Sequence, residues 1–376
     1  MTDFDRNPLM TQAEYAKKIR PLLPAEAFSS NINRVWILVI NIAILILGWG
    51  IADDLPQWNA EWLWLYLPLT LIMGNSVMVL LFSSHELLHS STLKNPLLRR
   101  ILSLLGLTML WTPPTFWKAV HNREHHSKTN SLHDPDRNYL STQPKNWGKW
   151  IQNLFVPSNS VDSLWLIIGT SNAWGVHTFR NLSSVLLFND ASPDYTPASF
   201  KVSPKERKEI GLELALIAAI HVSILSYLGF HPVKLLLSYF LPIWIGYAGV
   251  MFYIYTNHML CRMTNVNDPL INSLSLRVPQ IFNVLHFNFA YHTEHHVFPG
   301  INSDYYPVIQ NLLQEYYPDR YNVLDAGKAW EMMLNTPRHY QDELTFTDWD
   351  EEQVIACPLS TRISSVPLDR EFRSKL

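Results

Sequence analysis

Imidazole dominates the chemistry this sequence could do. Of its 15 histidines, eight fall into three short clusters. His85 and His89 flank Glu86-Leu87-Leu88, His121 precedes His125 and His126, and His292 precedes His295 and His296. On a helix, a separation of four places two side chains on one face. That pairs His85 with His89 and His121 with His125, and it keeps His292 within a turn of both later members. Imidazoles packed this closely repel when protonated and lose hydration when buried neutral. Coordination resolves both costs, because neutral imidazole is a ligand for iron, copper and zinc. Zinc takes about four ligands, and a catalytic zinc takes three from the protein. Eight or nine histidines therefore imply two metals with four or five ligands each. Redox work needs accessible oxidation states, which favours iron.

The elements that must hold these clusters are membrane spans. Four apolar runs approach the roughly 20 residues a bilayer crossing requires: Val35–Ala52, Trp62–Ser84, Leu214–Val233 and Leu235–Asn257. Pro68 and Pro242 lie inside spans, where neighbouring helices re-satisfy the freed backbone groups. Trp58, Trp62, Trp64 and Tyr66 crowd one end of the second span as an interfacial belt. All but one of the 29 Lys and Arg residues lie on one side of this four-span arrangement. The positive-inside rule puts both termini and the long 84–209 loop in the cytosol. All three clusters fall on that same side, which was assigned without them. Ile101–Phe116 and Val161–Val176 are short for spans, and exporting the loop between them would carry six basic residues across. They are expected as in-plane or re-entrant helices against the inner leaflet. The polar first 33 residues carry no cleavable leader pattern, so the first run reads as a retained anchor. The acidic stretch after about residue 339 reads as a solvated, partly disordered end.

Composition excludes other classes. The net charge of −3 gives no case for nucleic-acid binding. Cys261 and Cys357 form neither a CxxC pair nor a disulfide framework.

Taken together, the three boxes resemble those of the membrane-bound fatty acid desaturases and their hydroxylase and ketolase relatives. The run from Asn288 through His292, His295 and His296 to Pro299 is similar to the third box of sphingolipid and acyl-lipid desaturases. The resemblance covers about residues 35–320. It implies an all-α integral membrane protein with about four transmembrane helices and a cytosolic helical cap. An N-terminal segment (1–34) would precede that membrane domain and a C-terminal tail (321–376) would follow it.

The resemblance also implies two Fe2+ ions with dioxygen as co-substrate. The ligands carried over are His85, His89, His121, His125, His126, His292, His295 and His296. An additional histidine after the fourth span falls at His258, beside Asn257, with His286 as the competing position. Because box three begins with His292 rather than Gln, the front-end subgroup is disfavoured. Ligating imidazoles give their other N–H to an acceptor, and the candidates for that supporting role are Glu124, Glu294, Asp134, Asp136, Asp268 and Asn288. His133-Asp134-Pro135-Asp136 reads equally as a simple turn. His177 is expected on a surface helix, His231 in an outer loop, and His221 mid-span in a neutral packing role.

The implied reaction is oxygen-dependent C–H activation on a fatty-acyl lipid, acyl-CoA or acyl-carrier substrate, giving a double bond. Hydroxylase, carotenoid ketolase and acyl decarboxylase chemistries use much the same boxes. The sequence contains neither a His-Pro-Gly-Gly haem motif nor a GxGxxG fingerprint. Electrons must then come from a separate ferredoxin or cytochrome b5. Two rivals come from other classes. His85-Glu86-Leu87-Leu88-His89 is also the HExxH pattern of an intramembrane zinc protease, with Asp325 the only echo of a further ligand. A metal transporter would place its ligands near the bilayer midplane. Neither rival accounts for three clusters at helix exits.

Overall fold

The computed structural model describes residues 8–29, 31–90, 92–131, 133–136, 155–190, 200–337, 339–348 and 351–359. Its frame is helical. The principal helices are α1 (Gln12–Ile19), α2 (Asn33–Ala52), α3 (Leu67–His89), α4 (Pro96–Thr108), α5 (Ser163–Ser183), α6 (Pro204–Tyr227) and α7 (Leu241–His258). After them come α8 (His292–Val297), α9 (Tyr306–Tyr316) and α10 (Ala326–Leu334). Four segments among the described residues are long and apolar enough to cross a membrane: Asn33–Gln57, Ala60–His89, Pro204–Tyr227 and Pro232–His258. The protein is an all-α membrane protein.

The third span differs in register from the expected Leu214–Val233. Ser203 and Glu206 form a reciprocal capping box that starts α6 at Pro204. Gly229, with φ of 63°, turns the chain soon after Tyr227. The prolines are accommodated locally. Pro68 sits in the first turn of α3, where no intrahelical N–H is needed. Pro242 follows a π-helical stretch, Leu236–Phe240. The Ser238 carbonyl accepts from Trp49 Nε1 at 3.0 Å, and that of Leu237 accepts from the Thr70 hydroxyl at 2.8 Å. Tyr66 is no belt residue. It is fully buried and donates to the Gly48 carbonyl at 2.7 Å, whereas Trp62 and Trp64 are exposed.

α3 is the central element, buried against α2, α4 and α7. Its approach to α7 depends on two glycines. A Cβ on Gly74 would lie 2.6 Å from Ile245, and one on Gly246 would lie 2.6 Å from Val77. This close packing brings the ends of α3 and α7, with His85, His89 and His258, to one place. Of the stretches expected in-plane, Val161–Val176 is largely helical, whereas Ile101–Phe116 is helical to Thr108 and then turns at Trp111, with φ of 55°; neither is among the four membrane-crossing candidates. α4 exposes Leu97, Leu98 and Ile101. α5 is longer than expected and packs along α7.

Two small sheets tie down the cap. β1 (Ser275–Arg277) pairs in parallel with β2 (Val323–Asp325). β3 (His339–Tyr340), β4 (Thr345–Thr347) and β5 (Val354–Ala356) form an antiparallel sheet. The residues after 339 are thus not a solvated end as far as they are described. Tyr340, Phe346 and Cys357 are fully buried, and the Tyr340 hydroxyl donates to the Cys261 carbonyl. Short apolar strands outweigh the acidic turns between them, whose charges face water. Residues 349–350 and 360–376 of that expected tail lie outside the described residues. At the other end of the chain, α1 packs on α8 and α9. The buried Asp268 carboxylate accepts from the Tyr15 hydroxyl at 2.9 Å and from the Met10 amide at 2.8 Å, and pairs with Arg320.

Candidate metal centre

Box one is the last turn of α3. His85 and His89 share a face, with ring centroids 4.6 Å apart. Box two lies on a π-helix, Lys118–His125. The segment before it is anchored by the buried Glu213 of α6, which accepts from the Thr115 amide and hydroxyl, both at 2.9 Å. π-Helical bonding joins residues five apart, and here the His126 N–H donates to the His121 carbonyl. The wider turn rotates the ring nitrogens of His121 and His126 toward one point and that of His125 toward another. Box three is the single buried helix α8.

These elements bring all nine proposed histidines together in two groups. In each group the ligand atoms lie within 4.8 Å of one another. The first group contains His85, His89, His121, His126 and His295, and the second contains His125, His258, His292 and His296. Boxes two and three each divide between the groups, so neither group forms unless both segments are in place. In the first group Nε2 faces Nε2 at 3.0 Å (His85–His121), 3.2 Å (His126–His121) and 3.0 Å (His295–His126). In the second the separations are 2.6 Å (His292–His258) and 3.1 Å (His296–His292).

The opposite ring nitrogens explain these approaches. His125 Nδ1 donates to Asp134 at 2.9 Å, His121 Nδ1 to Asp136 at 3.2 Å, and His258 Nδ1 to the Asn272 carbonyl at 3.0 Å. An acceptor on Nδ1 fixes the proton there and leaves the Nε2 lone pair free. His295 Nδ1 meets the Tyr306 hydroxyl at 3.1 Å and His296 Nδ1 the Thr129 hydroxyl at 3.4 Å. His89 Nε2 is buried without a hydrogen-bond partner. The orphaned His89 nitrogen is unfavourable without a cation beside it. The donor sets of five and four imidazoles exceed the three protein ligands of a catalytic zinc and fit two metal ions.

Electrostatics keep most of these rings neutral. Burial, reinforced by neighbouring imidazoles, holds His126, His292, His295 and His296 well below the ordinary imidazole range. Burial also lowers His121, against the opposing bond to Asp136. His125 is the exception. Burial lowers it, but Asp134 and then Asp136 outweigh that and leave it raised.

Of the six expected supporting residues, the structure puts two on ligand rings, Asp134 and Asp136. Asp134 also makes the expected turn, accepting from the Asn130 and Asp136 amides at 2.7 and 2.9 Å. The other four point elsewhere. Glu124 pairs with Arg123 and Lys128. Glu294 accepts from Ser275, Gln310 and Tyr321. Asp268 anchors the N-terminal segment. Asn288 donates to the Ser303 carbonyl at 2.9 Å. His286 lies outside both groups, bonded to Tyr253 and Asn75 at 2.9 and 3.1 Å. His177 is buried rather than on a surface, its Nε2 on Asp136 at 3.1 Å. Asp136 thereby links α5 to box two, which the sequence pattern did not indicate. His221 has the expected packing role. Its Nε2 donates to the Thr108 carbonyl at 2.9 Å, and its Nδ1 accepts from the Tyr239 hydroxyl at 2.8 Å. Asp325 is exposed and pairs with Arg277 at 3.8 Å, so it does not join His85 and His89 in a protease-like site.

A small pocket of about 20 Å³, room for about one water, adjoins the first group. His85 and His295 line it together with Phe82, Glu86, Phe289 and Tyr306.

Residues 61–327 match the fatty acid desaturase family, more than half of the chain and all three boxes. The chain belongs to the fatty acid desaturase family. A search of curated proteins returns no match. Membership makes the protein an oxidoreductase of the desaturase and hydroxylase type, acting on lipid at a membrane. The family is known for binding iron, and among the described residues the two histidine groups, together with His121, His125 and Asp136, could hold metal.

Proposed function

We propose that this protein is an oxygen-dependent desaturase that introduces a double bond into a fatty-acyl or lipid chain. His85, His89, His121, His126 and His295 would hold one Fe2+, and His125, His258, His292 and His296 the other. The convergence of nine ring nitrogens in two adjacent groups beside a pocket carries this reading. Bound there, the two irons would supply the dioxygen-dependent removal of hydrogen from an unactivated methylene, chemistry that side chains alone do not provide.

The chain's own residues position and enclose. Asp134, Asp136 and the Asn272 carbonyl hold three rings with Nε2 unprotonated. Phe82 stacks on Phe289 at 4.0 Å and lines the pocket beside His85 and His295. An apolar chain approaching the first group from this side would meet that aromatic wall, which must open to admit it. Glu86 and Ser303, bonded at 3.1 Å, give the same pocket a polar edge. Electrons would arrive from a separate ferredoxin or cytochrome b5. In the proposed topology the chain crosses the membrane four times, with the site and both ends cytosolic. Residues 35–320 form the membrane domain, between N-terminal segment 1–34 and C-terminal tail 321–376.

Metal analysis of detergent-purified protein, with lipid analysis of the expressing cells, tests the proposal. Two irons per chain, little zinc and a new double bond are expected. A hydroxylated product would keep the site and replace the reaction. One zinc and no iron in active protein would overturn both.

A further inference from the structure

The Gln280–Leu285 helix has its polarity inside out. Ile281, Phe282, Val284 and Leu285 are exposed, while Asn283 and His286 are buried. Val284 is 64% exposed, as open as Leu71 on the outer face of α3 at 60%. Polar residues inward and large apolar residues outward is the pattern of a surface that meets lipid.

The depth of the segment agrees. His286 bonds to Asn75, which lies ten residues before His85 on α3. At 1.5 Å per residue, Asn75 is about 15 Å deeper along the helix axis than box one. His286 also bonds to Tyr253, within the fourth span. The chain then turns back toward box three through Phe287 and Asn288, with φ of 55° and 58°. The Asn288 amide closes that turn on the Asn283 carbonyl at 2.8 Å. Leu71 and Ile72, one turn from Asn75 on α3, are likewise exposed.

We infer that Gln280–Leu285 is a further membrane-embedded element, a short re-entrant helix whose outer face lies among lipid acyl chains. His286 is the peg that fixes it to α3 and α7. The inference rests on the four-span reading and adds to it a stretch too short to register as a span.

The test uses the unaltered protein in phosphatidylcholine nanodiscs, labelled in parallel with a bilayer-confined and a water-soluble diazirine and mapped by mass spectrometry. The bilayer reagent should mark Ile281–Leu285 at yields like those of Leu71 and Ile72, and the aqueous reagent should not. Residues of α10 supply the opposite control. Aqueous labelling at 281–285, or protection from both reagents, would overturn the inference while α3 still reports lipid. Absence of bilayer labelling on α3 as well would instead overturn the four-span reading.

Discussion

The two imidazole groups are built from the same parts and face different surroundings. The first has five rings, two of which line a pocket. The second has four, backed by Asp134, the Asn272 carbonyl and Thr129, and none of its rings lines that pocket. On the proposed reading, the first group is the one a substrate chain would approach, and the second would hold its ion beside it. Adjacent residues part in two places, His125 from His126 on the π-helix and His295 from His296 on α8.

Removing one ring from each group tests this division most severely. His295→Ala on the pocket side and His258→Ala on the enclosed side should each reduce turnover at least about 100-fold and lower iron content. Iron analysis with a turnover assay checks both. Full activity in either variant would remove that ring from the site. A smaller effect is expected one layer out. Asp134→Asn keeps the shape and weakens the acceptor for His125, so metal affinity should fall about 10–100-fold. Competition with a calibrated chelator reads that loss. An unchanged affinity would mean that the second group does not need its buried carboxylate.

His221 supplies the control outside both groups. Its two nitrogens already have protein partners, so His221→Phe should leave iron content intact. It should cost about 1–3 kcal/mol of stability, through the stranded Thr108 carbonyl and Tyr239 hydroxyl. Thermal unfolding of the iron-loaded protein measures it, and iron loss at constant stability would contradict it. The smallest change expected is Tyr306→Phe. It removes one hydroxyl from His295 Nδ1, a loss of about 1 kcal/mol, and should slow turnover severalfold at unchanged iron. Comparison of kcat with KM would show whether the pocket wall, rather than the ring, is disturbed.

The convergence of the nine histidines was legible in the sequence because coordination demands one residue type at helical spacings, and composition marks the spans that hold them. Their division between groups was not legible. The meeting of His121 with His126 depends on a local widening of the helix that leaves no residue signature, and the parting of His295 from His296 on which segments surround α8. The supporting contacts divided along the same line. Asp134 sits nine residues from His125 in an evident turn, but His177 and Tyr306 arrive from distant helices, and Asn272 contributes a backbone carbonyl. Glu124 and Glu294 misled because nearness in sequence does not set direction. The first faces Lys128, and the second faces Tyr321 across the β1 platform. The acidic turns after residue 339 likewise obscured the strands between them.

The parallel pairing of β1 with β2 has a consequence for biosynthesis. Ser275 is held against Val323, and box three lies between them. The last three ligands therefore have no platform until the chain is made past residue 325 and the final span is already inserted. Tyr15 waits as long, since its partner Asp268 is 253 residues away. On the proposed two-iron reading, chains terminated before β2 should bind neither ion.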